Sequence, residues 1–137
     1  MKKYHFLAFA CKDIISSDHC LPATLARGGP PFRGKTVTVE YIRYVLNRHS
    51  GEELVAAYRV AAENLRAAPE CLAYELTRCE EDPNSYVLRI RWTSTSDHLQ
   101  KFRKGPHFPP FFAAIKPFVD EIAEMRHYAD TGVAWQR

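Results

Sequence analysis

The stretch RWTSTSDHLQKFRKGPHFPPFF, residues 91–112, concentrates the side chains best suited to chemistry: one tryptophan, two histidines and four phenylalanines among three prolines. His107 follows Pro106 and opens a helical segment, where the positive end of the helix dipole lowers the proton affinity of an imidazole. A neutral imidazole accepts protons at physiological pH, which makes His107 the candidate general base. Trp92 closes a strand-like run and offers a flat ring with one N–H, suited to walling a pocket and meeting an oxygen atom there. His98, Phe108 and Phe111 are candidates for substrate contact, as are Tyr41 and Tyr44 on an early strand and Tyr58 on the first helix. The competing reading is an aromatic core that contains histidines, since Phe108, Phe111 and Phe112 recur at helical spacing. Cys11, Cys20, Cys71 and Cys79 form no CxxC pair and no His or Cys stands at a zinc-type spacing, so no metal ligands are expected.

The elements that position these groups begin near Lys35. KTVTVEYIRYVL is β-branched and aromatic and reads as a strand. Its alternation puts Val37, Val39, Tyr41, Arg43 and Val45 on one face and Thr38, Glu40, Ile42, Tyr44 and Leu46 on the other. Ser50 followed by Glu53 is a capping-box signature, and Leu54, Tyr58, Ala61, Leu65 and Ala68 form a helical stripe that Pro69 ends. ECLAYELTRC and SYVLRIRW read as strands joined by the turn EEDPNS. In the latter strand Tyr86, Leu88, Ile90 and Trp92 share a face, opposite Val87, Arg89 and Arg91. Ser94 caps a second helix running to Lys104 and closed by Gly105. Prolines 106, 109 and 110 suit the first turn of a third helix over 107–116. FVDEIAEMRHY is the expected final strand, with a helix as the competing assignment.

The order β-α-β-β-α-(α)-β is the split βαβ, ferredoxin-like arrangement of an α+β fold. Helices cover one sheet face, and the apolar groups on the other imply a second copy packed sheet on sheet, a homodimer. Arg43, Arg89 and Arg91 are expected on that dimer side, within reach of Glu75 or Glu121. Alternation alone does not say which face of the first strand meets Trp92, so Tyr41 and Tyr44 both stay open as pocket residues. Residues 1–34, with SSDHCLPATLARGGPPFRG, read as an extension and linker, 35–130 as the folded domain and 131–137 as a tail.

Composition excludes several classes. A net charge of +3, with basic residues scattered among acids, leaves no stripe for a nucleic-acid backbone. No apolar run reaches the length of a membrane span, and the short run in MKKYHFLAFAC is interrupted by His5, unlike a secretory leader. The cysteine pattern fits reduced thiols and a cytoplasmic protein.

Four segments in order, TVEYIR, ECLAYEL, LRIRWTSTSDHL and GPHFPPF, resemble the antibiotic biosynthesis monooxygenase family, with the likeness running from Thr36 to Tyr128. That family comprises small dimeric α/β-barrel proteins and includes quinol monooxygenases. The resemblance implies a pocket between helices and sheet beside Trp92. It also implies oxygenation of phenols or quinols by dioxygen with no metal, flavin or other cofactor. A quinolate can itself pass an electron to oxygen, so the protein need only bind the ring, favour its deprotonated form and exclude water. The expectation is therefore a cytoplasmic homodimeric monooxygenase acting on a small aromatic hydroxyl compound, with Trp92 and His107 catalytic and Tyr44, Phe108 and Phe111 as walls. The alternative is a non-catalytic dimeric domain that binds a small ligand or contributes only an interaction surface. The heme-degrading branch of the superfamily fits less well. Its asparagine before the strand arginine is Ile42 here, and FPPFFAAIKPF supplies no axial histidine after His107.

Overall fold

A backbone that alternates apolar and polar side chains can bury one face of each strand, and the computed structural model, which describes residues 37–137, shows which face that is. Strand β1 is Thr38–Val45, helix α1 Gly51–Ala67, β2 Cys71–Arg78 and β3 Ser85–Trp92. A short helix α2, Thr95–Asp97, runs into a π-helical turn, His98–Phe102. Helix α3, Phe108–Ile115, is followed by a 3-10 helix, Lys116–Glu121, and strand β4, Ile122–Ala129. The expectations for residues 1–34 lie outside the described residues.

All neighbouring strands pair antiparallel in the order β2-β3-β1-β4, the ferredoxin-like topology. Register pairs Thr38 with Trp92, Glu40 with Ile90, Ile42 with Leu88 and Tyr44 with Tyr86. These eight residues are all buried and form the sheet's contribution to the core. Helix α1 lays Leu54, Tyr58, Ala61 and Leu65 on that face, and α3 adds Phe111 and Ile115. The α1 N-terminus carries the expected capping box, with Ser50 Oγ accepting from Glu53 N–H and Glu53 accepting from Ser50 N–H. Gly51 permits a close approach, because a β-carbon there would fall 1.8 Å from the hydroxyl of buried Tyr86.

Two elements differ from the sequence expectation. The second helix does not continue regularly to Lys104. Ser94 caps it through Asp97 N–H, but Arg103 N–H then reaches back to the His98 carbonyl at 3.0 Å, one residue beyond the α-helical partner. The widened turn buries His98, Leu99 and Phe102 together. The last strand starts at Ile122 rather than Phe118 because Glu121 turns inward. Its Oε1 accepts the backbone N–H groups of Asn47, Arg48 and His49 at 2.9, 2.6 and 3.2 Å, and its Oε2 lies 2.6 Å from His49 Nδ1. Glu121 is thus spent on the β1–α1 turn and makes no ion pair on the outer sheet face. There Arg89 pairs with Glu75 at 3.5 Å, and Arg43 with Glu124 at 3.9 Å.

Burial pushes the Glu121 carboxyl up, but the Arg48 and Asn47 backbone N–H groups and the His49 ring and N–H outweigh it and bring it down to about 2. A carboxyl held below its unfolded value stabilises the fold above that value, and the benefit is lost as pH falls from about 4.5 toward 2. Glu121→Gln should lower the unfolding free energy by about 3 kcal/mol at neutral pH. Urea unfolding at pH 7 and pH 3 checks this: the gap between native chain and variant should shrink at the lower pH, and an equal gap at both would refute it.

Candidate functional site

Glu40 is an acidic side chain on a strand face otherwise given to Ile42 and Tyr44, and it is 2% exposed. A buried carboxylate requires hydrogen-bond donors. Strand pairing sets Glu40 directly opposite Ile90 on β3 and His127 on β4. Trp92, two residues beyond Ile90 on the same face, donates its Nε1–H to Glu40 Oε2 at 2.9 Å. The π turn brings His98 over the indole, the two rings stacked at 4.2 Å and 9°. His98 Nε2 lies 3.7 Å from Glu40 Oε2, and its Nδ1 lies 2.8 Å from His127 Nε2. Thr38 and Thr95 hydroxyls meet at 2.9 Å and tie the start of α2 to β1.

Donor logic assigns the protons. Arg103 can only donate, and its Nε–H points at His98 Nε2 at 3.4 Å, so the His98 proton sits on Nδ1 and is given to His127 Nε2. Burial, reinforced by the Arg103 charge, holds His98 well below the usual histidine range. His127 is also lowered, by burial first, with Glu40 opposing and His98 and Arg103 assisting. The result is a pair of neutral, hydrogen-bonded imidazoles running from the buried His98 to the half-buried His127, set beside a glutamate and roofed by an indole.

A second feature lies over β2 and β3. A groove of about 380 Å³ opens between α1 and β2, lined among others by Val55, Tyr58, Arg66, Tyr74, Leu76 and Leu88. Tyr58 ends there in a 2.5 Å hydrogen bond with Tyr44, and both hydroxyls are raised by burial. Arg66 donates to Tyr74 at 3.1 Å on the rim.

The residues singled out by sequence divide between these places. Trp92 is fully buried on the helix-covered face, and its N–H is already committed to Glu40. His98 joins it. Tyr44 and Tyr58 form a buried hydroxyl pair, of which Tyr58 alone lines the groove. Tyr41 is a correction: it lies on the opposite sheet face, 37% exposed, edge-on to Tyr128 at 5.3 Å. Phe111 is buried against Tyr58 and Phe102, and Phe108 stacks on Phe112 under the Arg103 guanidinium. His107 occupies the α3 N-cap, half-buried; among the described residues its ring makes no hydrogen bond to the Glu40 cluster. Sequence reasoning gave no site role to Glu40 or His127. The signal for Glu40 was present, a carboxylate within an apolar alternation, whereas His127 required the β4 register.

The family described as antibiotic biosynthesis monooxygenase matches residues 40–114, a span that contains Glu40, Trp92, His98 and His107 and stops short of His127. An uncharacterised protein of Bacillus subtilis, YczJ, is 24% identical over 79 residues, 58% of this chain and 83% of that protein. Among solved structures, SnoaB, a cofactor-independent oxygenase from Streptomyces nogalater, is similar at a TM-score of 0.54 and 22% identity, covering 76% of this chain and 97% of SnoaB. A conserved protein of Methanosarcina mazei is similar at a TM-score of 0.57 and 15% identity, over 69% of this chain and 92% of its own.

The tyrosine pair can be tested by itself. Tyr58→Phe leaves the Tyr44 hydroxyl, which is fully buried, without its partner and should destabilise by about 1–3 kcal/mol. Removing both hydroxyls in Tyr44→Phe/Tyr58→Phe should cost less than the single change, measured by urea unfolding. Additive losses would show that the two hydroxyls do not depend on each other.

Proposed function

This chain belongs to the antibiotic biosynthesis monooxygenase family, and on that premise we propose that it oxygenates a small aromatic hydroxyl compound, a quinol or polycyclic phenol, with dioxygen and no bound cofactor. The observation that carries this reading is the hydrogen-bonded His98–His127 pair set against Glu40 and Trp92. Its accepting nitrogen is His98 Nε2, which holds a 3.4 Å bond from the Arg103 Nε–H that a substrate hydroxyl would replace. A proton taken from the substrate hydroxyl at Nε2 releases the Nδ1 proton to His127 Nε2, and the half-buried His127 returns a proton to solvent. The Arg103 guanidinium, 3.4 Å from that nitrogen, stabilises the substrate oxyanion left behind. The electron-rich anion then reduces dioxygen. One oxygen atom enters the ring as a carbonyl, and the substrate's O–H and C–H hydrogens leave with the other as water. Trp92 acts here as a positioning residue, fixing the carboxylate through its N–H and the His98 plane by stacking.

The 380 Å³ groove favours a second reading, binding without turnover, because its size falls within the roughly 300–1,000 Å³ of small-ligand sites and its floor is aromatic and aliphatic. Oxygen uptake separates the two. With a panel of quinols and hydroxylated polycyclic phenols, corrected for autoxidation, the native chain should consume oxygen, and His98→Asn and His127→Ala should reduce the rate by about 100-fold. His107→Ala, altering the base expected from sequence, should lose less. A folded protein that binds panel compounds through the groove but shows no uptake would favour the binder.

The reading includes a dimer. The sheet face away from the helices presents Tyr41, Val45 and Tyr128 among Arg43, Arg89, Glu75 and Glu124. Apolar rings framed by complementary charges suit a second copy of the same face, the arrangement that closes two sheets into a barrel. Sedimentation should give a dimer for the native chain and a monomer for Tyr41→Asp/Tyr128→Asp. A native monomer would remove the dimer from the proposal.

A further inference from the structure

Glu40, His98 and His127 offer one carboxylate oxygen and two imidazole nitrogens that all lie within 4.8 Å of one another. We infer that these three residues form a binding site for a first-row divalent transition-metal ion, at the end of the sheet where β1, β4 and the π turn meet. The donor set is the argument's first part. Two imidazoles and one carboxylate are the ligands that suit zinc, cobalt, nickel and ferrous ions, and they exclude a preference for magnesium or calcium, which take oxygen alone.

Geometry is the second part. Metal–nitrogen and metal–oxygen bonds of about 2.0–2.2 Å place ligand atoms on a shared ion about 3–3.5 Å apart. His98 Nδ1 and His127 Nε2 are already 2.8 Å apart, and the 4.8 Å outer limit of the set narrows to that range by a side-chain torsion. The ligands also come from rigid places: Glu40 and His127 are paired across adjacent strands, and His98 is held by stacking on Trp92.

The surroundings are the third part. Ligating groups are held in orientation by outer hydrogen bonds, and Glu40 has one from the Trp92 indole. Glu40 and His98 are buried, while His127 is half-buried, so an ion enters from the His127 side and keeps open coordination positions there for water or an exogenous ligand. Three protein ligands with open positions are the make-up of a reactive rather than a purely structural metal site. The ion replaces the proton shared by His98 Nδ1 and His127 Nε2; a proton on His98 Nε2 then faces Glu40 Oε2, and the Arg103 Nε–H that points at that nitrogen in the metal-free structure has to turn away. Metal and proton transfer therefore compete for the same nitrogens. Sequence spacing gave no hint of this set, because its members are 58 and 29 positions apart, from Glu40 to His98 and from His98 to His127.

The inference does not depend on the oxygenase reading, because its test measures binding without turnover. Full-length protein, stripped with chelator and dialysed, is titrated with cobalt(II) or zinc(II) by calorimetry, and the cobalt form is read by its visible d–d absorption. The native chain should take up one ion per chain at these residues with a cobalt spectrum of low coordination number. His127→Ala and Glu40→Gln should each weaken binding at least tenfold and abolish that spectrum, with folding confirmed by thermal unfolding of the metal-free proteins. Glu40→Gln keeps an acceptor for the Trp92 N–H, which guards against a trivial loss of fold. Absence of stoichiometric uptake by the native chain, or unchanged affinity and spectrum in both variants, overturns the site. The second result would assign the metal to other histidines or cysteines of the chain.

Discussion

A carboxylate placed in the middle of an apolar sheet face has to be supplied with donors or the fold does not form, and Glu40 organises one end of this molecule on that account. It stands in β1, the strand with neighbours on both sides, so whatever satisfies it must come from β3, from β4 or from the helical layer above. The hydrogen bond comes from β3, where the Trp92 indole donates; His127 on β4 and His98 from the π turn close the pocket around the carboxylate without donating to it. Transferring an unpaired ionised carboxyl into such an environment costs far more than any single apolar contact returns. The position of α2, the stacking of His98 on Trp92 and the inward face of β4 are linked through that one group.

A second inward carboxylate does the same work at the other end. Glu121 gathers three successive backbone N–H groups and an imidazole from the β1–α1 turn, a ring of donors like that of a bound anion. It pins the start of β4 to the end of β1, and Arg48 adds an exposed pairing with Asp120. Between the two glutamates the core is built of apolar side chains, from Tyr86 and Leu54 through Leu88 and Leu65 to Ile90 and Phe102, with the Tyr44–Tyr58 hydroxyl pair as its internal hydrogen bond. The polar investment is therefore split: Glu121 satisfies backbone N–H groups, while Glu40 takes its hydrogen bond from the Trp92 indole and lies beside two imidazoles. Side-chain partners with lone pairs to spare are what distinguish a reactive cluster from a structural cap.

Local features of this chain were legible without coordinates. The capping box at Ser50, the α1 stripe, the stop before Pro69 and the shared face of Tyr86, Leu88, Ile90 and Trp92 are all set within a few residues, and each holds in the structure. What was not legible is non-local. The phase of β1 against β3, which sends Tyr44 inward and Tyr41 out, depends on register across strands some 50 residues apart. The start of β4 depends on Glu121 reaching a turn 72 to 74 residues away. The π turn depends on His98 settling against an indole rather than on any local propensity. Trp92 and His98 were picked out from sequence for their chemical types; Glu40 was missed although its place in an apolar alternation marked it, and His127 was missed because only the β4 register brings it in.

The division of labour among the strands bears on how chemistry varies on such a scaffold. Glu40, Trp92 and His98 lie within the span that the family shares, on inner strands and the helical layer, where any change disturbs packing on several sides. His127 lies beyond that span, on an edge strand whose side chains are partly open to solvent. A substitution there alters the outlet of the imidazole pair while leaving the carboxylate, the indole and the core in place. If the proposed proton relay and metal site hold, the edge strand is the position at which both can be tuned at least cost to the fold. On the proposed reading, the residue that β4 presents opposite the buried glutamate sets the outlet of the imidazole pair, while Trp92 sets only its orientation.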